Sequence, residues 1–318
     1  MSLSSVLTRL RSGSVSPPIE LIYSSHHSWP RRTNGQPPAQ RPLRIAVLDS
    51  SFNPPTVAHL AIANAPRPVD NNDHGDDYDA KLLLLSITNA DKQLKSTDAT
   101  YVQRVEMMCE FAKEVVTRSI SPSTNSTSIL EEPGNVAVAI INEPTFVGKS
   151  RLIQTFLRQR MTDSATTRSS SPCELTFLLG YDTLERFFAP RYYVKDPNSD
   201  AMTQMQTALR GFFAEGDSSR IVCAKRNPES YPKASVVPNA STSTDADSLT
   251  STISQLFSAL SLPMSECVKM IDIGEDVWTI SSSDVRGAIG KGEDRWMSMV
   301  SPRVREYIKK EGLYQEKV

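Results

Sequence analysis

The chain predicts an α/β fold, a doubly wound parallel sheet with helices after its last strand. Three observations lead there. Short apolar runs of strand length alternate with segments of helical spacing from residue 43 onward. Polar stretches rich in Ser, Thr, Pro, Asp and Asn separate these segments without disturbing the alternation. The residues with chemical promise lie where strands end, at 49–59, 180–182 and 225–226, and wound sheets bind ligands at the carboxyl ends of their strands.

The first strand is the apolar run Leu43 to Leu48, which breaks into the turn residues Asp49-Ser50-Ser51. Asn53-Pro54-Pro55 disfavours a helix, since proline lacks an N–H and pushes its predecessor extended. A helix is expected from Val57 to Ala65. Lys81–Ile87 reads as the second strand, followed by a helix carrying Val102, Val105, Met108, Cys109 and Phe111. Val136–Ile141 is a third strand and Ser150–Met161 a helix. Leu175–Leu179 is a fourth strand, with helices at Thr183–Phe188 and 202–214. Ile221–Ala224 is a fifth strand, Ile253–Leu262 a helix and Val268–Ile273 a sixth strand. Helices follow Ser282 and fill 303–311. This organisation gives an N-terminal extension, 1–41, and one domain, 42–318, with polar insertions at about 66–79, 119–130, 162–172 and 227–250.

Lys plus Arg number 35 against 36 Asp plus Glu, which argues against a general nucleic-acid binder but leaves room for a local basic pocket. No run approaches the length of a membrane span. Cys109, Cys173, Cys223 and Cys267 lie far apart, form no CxxC pair and read as reduced core residues of an intracellular protein. Residues 1–19 carry Arg9, Arg11, several serines and no acid before Glu20. They read as an amphipathic helix (Val6, Leu7, Leu10) leading into the apolar Leu21-Ile22-Tyr23 rather than as a mitochondrial leader, because the arginines are few. The expected compartment is therefore the cytoplasm or nucleus. The acidic run 70–77 reads as a solvated loop rather than a metal site.

Two stretches carry chemistry. A strand, a stiff polar turn and a helix N-terminus form an anion site, and Thr56 and His59, three apart, both face it from the first helical turn. The second stretch is Thr279 to Arg286, where three serines mark a helix start and Arg286 lies four residues after Ser282 on the same face. Hydroxyls, free N–H groups and a guanidinium together suit phosphate oxygens.

Those stretches resemble a known family. Ser51-Phe52-Asn53-Pro54-Pro55-Thr56-Val57-Ala58-His59 looks like the (H/T)xxH signature of the nucleotidyltransferases, in the form found in eukaryotic nicotinamide-mononucleotide adenylyltransferases. Ile280 to Arg286 is similar to that family's Ile-Ser-Ser-Thr-x-x-Arg, Gly180-Tyr181-Asp182 to its Gly-x-Asp, and Val304 to Tyr314 to its C-terminal tail. The resemblance covers about residues 43–318 without the insertions. It implies a Rossmann-like nucleotidyltransferase fold and in-line attack of a mononucleotide phosphate on the α-phosphorus of ATP, with Mg²⁺ bridging the triphosphate.

The resemblance also implies roles. His59 contacts the α-phosphate, Thr56 orients the phosphates, and Ser282 and Arg286 hold the β- and γ-phosphates, with Ser51, Phe52 and Ser283 completing the ATP site. Asp182 binds the ribose, Gly180 allows close backbone approach, and Lys95, with Lys92 beside it, reaches phosphates. Arg226 grips the acceptor's phosphate, while Arg104, Phe146 and Tyr193 line the acceptor side. No protein-held metal is expected. Small-molecule partners, ATP and nicotinamide mononucleotide, are expected, with no nucleic acid and no membrane.

The chain departs from the family's pattern in two places. Ser50 stands where the family has a glycine, and a side chain there can cost phosphate affinity. The family stacks nicotinamide on tryptophans; this chain offers Phe146 and Tyr192-Tyr193, with Trp29, Trp278 and Trp296 elsewhere. Two alternatives stay open: a sister nucleotidyltransferase with another acceptor, such as phosphopantetheine, and a nucleotide-binding or weakly ATP-hydrolysing module that acts through a protein partner.

Overall fold

The computed structural model describes residues 2–32, 41–68, 77–88, 97–116, 134–164, 173–194, 196, 198–214, 216–225 and 245–315, with the backbone alone for 162–164 and 245–250. Lys92, Lys95, Arg226, the polar stretch 119–130 and most of 227–250 lie outside the described residues.

Seven strands form one sheet: β1 (Ile19–Ser24), β2 (Leu43–Asp49), β3 (Ala80–Ser86), β4 (Val136–Ile141), β5 (Cys173–Gly180), β6 (Arg220–Ala224) and β7 (Val268–Ile271). Their spatial order is β1-β4-β3-β2-β5-β6-β7. Strands β2 to β7 pair in parallel, and β1 lies antiparallel on β4. The chain winds outward from β2 through β3 to β4, then returns and winds the other way from β5. The switch falls between β2 and β5, held in register by pairs such as Val47–Phe177 and Leu48–Leu178.

The helices are α1 (Leu3–Arg11), α2 (Val57–Asn64), α3 (Tyr101–Ala112), α4 (Phe146–Ser164), α5 (Tyr181–Phe187), α6 (Ala201–Phe213), α7 (Asp245–Leu260), the short α8 (Met264–Cys267) and α9 (Glu275–Trp278), α10 (Ser282–Gly290) and α11 (Pro302–Glu311). Strand side chains alternate between two cores. Ile45, Val47, Leu82, Leu84 and Phe177 face α4, α6 and α7, while Ala46, Leu48, Leu83, Leu85 and Leu178 face α3, α10 and α11. Each fully buried Leu, Ile or Val in these layers contributes roughly 1.5–3 kcal/mol of transfer free energy.

The amphipathic N-terminal helix forms as expected: Val6, Leu7 and Leu10 of α1 are buried in the second of these cores. The apolar stretch after it is an edge strand, β1, in which only Ile19 is fully buried. Helix α4 starts four residues before the expected Ser150, which places Phe146 in its first turn. Helix α7 begins at Asp245, eight residues before Ile253. The four cysteines are free; burial pushes the thiols of Cys109 and Cys173 up to about 11 and that of Cys223 up to about 12. Among the described residues no helix is long and apolar enough to cross a membrane.

Candidate active site

A cavity of about 1140 Å³ opens over the carboxyl ends of β2, β3, β5 and β6, across the switch point. That exceeds the ~300–1,000 Å³ usual for one small ligand and leaves room for a larger ligand or a second one. Its walls include six Lys and Arg residues (Arg104, Lys149, Arg186, Arg191, Lys225, Arg286) against three acids (Asp49, Asp98, Asp182). The chain as a whole carries a formal charge of −1, so positive charge is gathered locally, as an anionic ligand requires.

The turn after β2 sets the geometry. Thr56 caps α2 and holds an extended conformation, φ −120° and ψ 169°. Its N–H donates to His59 Nδ1 at 3.1 Å, and its hydroxyl lies 2.8 Å from the same nitrogen. A backbone N–H can only donate, so in the neutral ring Nδ1 is the acceptor and Nε2 carries the proton. Nε2 then donates to Ser50 Oγ, 2.9 Å away. Thr56 is fully buried, so its hydroxyl orients the imidazole and does not reach the cavity.

Phe52 is fully buried as well. Its ring packs against His59 and Phe111, with centroids at 5.5 and 6.2 Å, so the side chain supports His59 from behind and does not line the cavity. Its φ of 43° is strained for a side-chain-bearing residue, and the buried ring holds it there.

Burial lowers the pKa of His59 to about 4, against 6.5 for an ordinary histidine. The ring is therefore a neutral N–H donor at physiological pH. The depressed value also fixes a sign: the stability from burying the neutral ring is complete above pH 6.5 and is lost as the pH falls towards 4. In a proton NMR titration of the ligand-free protein, the His59 ring signal, assigned by its loss in His59→Ala, is expected to shift with a midpoint near 4. A midpoint of 6.5 or above would contradict this environment.

Helix α10 brings the second stretch to the same wall. Ser281, not Ser282, is the cap: its hydroxyl accepts from Asp284 N at 3.2 Å and the Asp284 carboxylate answers its backbone N–H at 3.1 Å. That frees Ser282, whose hydroxyl donates to the Pro54 carbonyl at 2.7 Å. Arg286 donates to the Asn53 carbonyl at 2.5 Å and to Ser283 Oγ at 3.3 Å. The two stretches, more than two hundred residues apart, are thus joined by direct hydrogen bonds, and Ser50, Ser51, His59, Ser282, Ser283 and Arg286 line one cavity.

Asp98 organises the cations behind this wall. It lies 3.6 Å from both Arg286 Nε and Arg104 Nη2, and accepts from Asn53 Nδ2 at 2.7 Å. Asn53 Oδ1 in turn accepts from the Tyr314 hydroxyl at 2.9 Å, which docks the C-terminal segment on the phosphate turn. Gly312, in the left-handed region at φ 59°, ends α11 and lets the chain turn back to make that contact. Arg104 is buried, donates to the Ala99 and Ser51 carbonyls, and keeps an edge on the cavity.

On the β5 side Gly180 caps α5, and a Cβ there would meet nothing within 4 Å. The protein itself does not require glycine; the space lies open for a ligand. Asp182 is exposed in the first turn of α5 and lines the cavity. Phe146 and Tyr193 line it too. The Phe146 ring meets Phe177 and Phe187 edge-on at 5.7 Å each, and the Tyr193 hydroxyl donates to the Phe187 carbonyl at 2.6 Å.

No protein-family profile matches the chain. A Schizosaccharomyces pombe protein, named "Putative nicotinamide mononucleotide adenylyltransferase", is 30% identical over 261 residues, which is 81% of this chain and 81% of that protein. The chain belongs to the nicotinamide mononucleotide adenylyltransferase family. A solved structure of Plasmodium falciparum nicotinic acid mononucleotide adenylyltransferase complexed with APC aligns with a TM-score of 0.43 and 14% identity, covering 85% of this chain and 96% of that one.

Two features of the wall carry no spacing signal in the sequence. One is the Asn53–Asp98–Arg286 network. The other is an ion pair between Asp49 and Lys149, whose partners lie a hundred residues apart. Ser50 has a visible consequence here: its Oγ occupies the one proton that His59 can offer a phosphate. Ser50→Gly is expected to raise kcat/KM for ATP by about two- to tenfold, by removing that competitor. A fall in kcat/KM would instead make the Ser50 hydroxyl a ligand contact in its own right.

Proposed function

We propose that this chain transfers AMP from ATP to nicotinamide mononucleotide, forming NAD and pyrophosphate. The observation that supports it is the meeting of the 50–59 turn and the 281–286 helix start on one basic cavity at the strand switch. An oxygen of the mononucleotide phosphate forms a bond to the α-phosphorus, and the bond from that phosphorus to the bridging oxygen breaks. Pyrophosphate leaves with the electron pair. Such a transfer needs positioning and charge stabilisation more than covalent help.

His59 turns its Nε2–H from Ser50 to a non-bridging α-phosphate oxygen, where charge grows in the transition state. Arg286, Ser282 and Ser283 take the outer phosphates, with Ser51 and the Phe52 backbone beside them. Asp182 accepts from the ribose hydroxyls, and the open face of Gly180 admits the nucleoside. Arg104, Phe146 and Tyr193 bound the acceptor side, and the family resemblance assigns Lys95 to the phosphates and Arg226 to the acceptor phosphate. Mg²⁺ enters as part of the substrate MgATP. Bound with the nucleotide, it would supply positive charge to the triphosphate beside Arg286, Ser282 and Ser283.

Asp98, beside both Arg286 and Arg104, favours one second reading: a nucleotide-binding module or weak ATPase in which these charges are neutralised internally. A coupled assay with purified protein, ATP, Mg²⁺ and nicotinamide mononucleotide, nicotinic acid mononucleotide or phosphopantetheine separates the two. Formation of the dinucleotide with a pyridine mononucleotide is expected. ATP turnover at one rate with every acceptor, and with none, would overturn the transferase reading.

A further inference from the structure

Where β2 ends, the Asp49 carboxylate meets the ammonium of Lys149, from the first turn of α4, at 2.5 Å. Their side chains are only 7% and 6% exposed, yet both line the cavity. The ammonium also stands 4.8 Å from the centre of the Phe146 ring, so the charged pair and the phenyl ring lie side by side on the cavity wall. A buried ion pair is a poor device for stability, because desolvating two charges offsets their attraction. Its place at a ligand cavity points instead to recognition.

Each partner has bonding capacity left. An ammonium has three protons and a carboxylate about four lone-pair positions. Among the described residues the only hydrogen bond that either charged group makes is the one between them. The pair therefore presents an N–H donor next to a carboxylate acceptor, inside walls made by Phe146, Phe187 and Tyr193. A primary carboxamide is the complement: its C=O accepts from Lys149 and its NH₂ donates to Asp49. A carboxylate is acceptor-only. It would have to share Lys149 with Asp49, placing two buried anions around one cation.

We infer that the Lys149–Asp49 pair sets the acceptor specificity of the cavity, selecting a heteroaromatic ring that bears a neutral carboxamide over one that bears a carboxylate. This rests on the acceptor being a pyridine mononucleotide, as proposed above.

The test measures binding by calorimetry and kcat/KM by coupled assay, for nicotinamide mononucleotide and nicotinic acid mononucleotide. The proteins are the wild type, Asp49→Asn, and the double variant Asp49→Asn with Lys149→Gln. The wild type is expected to favour the amide. Asp49→Asn leaves the Lys149 charge uncompensated, and the amide-to-acid ratio is expected to fall by about ten- to a hundredfold. The double variant restores a neutral donor–acceptor pair and with it the amide preference, which also guards against a single variant that folds poorly. A wild type that prefers the acid, a ratio unchanged within about twofold in Asp49→Asn, or binding of neither mononucleotide would overturn the inference. Amide-selective binding without transfer of AMP would leave the inference standing and refute the proposed activity.

Discussion

His59→Ala is expected to lower kcat for AMP transfer by about two to four orders of magnitude, the range for loss of a donor aimed at developing charge. The structure concentrates that role in one proton. Thr56 fixes the tautomer from the Nδ1 side, burial keeps the ring neutral, and Nε2–H is held by Ser50 Oγ at the cavity wall. An interaction that strengthens as charge builds on the α-phosphate acts on kcat more than on KM. Helix α2 keeps its Thr56 hydroxyl cap in the variant, so the fold is expected to survive, which circular dichroism checks. A loss of less than about tenfold would remove His59 from the reaction.

Arg286→Ala is expected to cost about a hundred- to a thousandfold in kcat/KM for ATP, divided between KM and kcat. The guanidinium is already preorganised: one Nη is spent on the Asn53 carbonyl, another on Ser283, and Asp98 faces Nε. Its charge is thereby fixed at the helix start where the outer phosphates are expected. Arg286→Lys keeps the charge without the fork and is expected to recover only part of the loss. Because the Asn53 carbonyl also loses its donor, a thermal melt belongs beside the kinetics. A variant with kcat/KM within about threefold of the wild type would place the triphosphate elsewhere.

Much of this architecture was legible in the chain. Strands β2 to β5 are covered on both faces, so they appear as continuous apolar runs that no amphipathic helix would show. The edge strand β1 was not legible, because it buries one residue fully and its alternation is weak. The start of α4 was hidden by Thr145 and Gly148, residues of low helix propensity that flank Phe146. Three adjacent serines left the cap of α10 ambiguous by periodicity. Asp284, three residues after Ser281, was the signal that would have settled it, since its carboxylate closes the capping box.

The cavity wall divides in the same way. Residues on one local turn, such as Thr56 with His59, declare their relation by spacing, although the sequence did not reveal that Thr56 serves the imidazole and is shut off from the cavity. Pairs made only by folding, Asp49 with Lys149 and Asp98 with Arg286, carry no spacing signal at all. Ser50 stands out in the sequence, but its bond to His59 forms only in the fold.

A crystal structure with a non-hydrolysable ATP analogue and Mg²⁺ shows whether the two distant stretches clasp one triphosphate. A single phosphate chain is expected, with an α-phosphate oxygen about 3 Å from His59 Nε2 and an outer phosphate oxygen about 3 Å from the Arg286 guanidinium. An analogue whose phosphates touch only one of these groups, or neither, would contradict it.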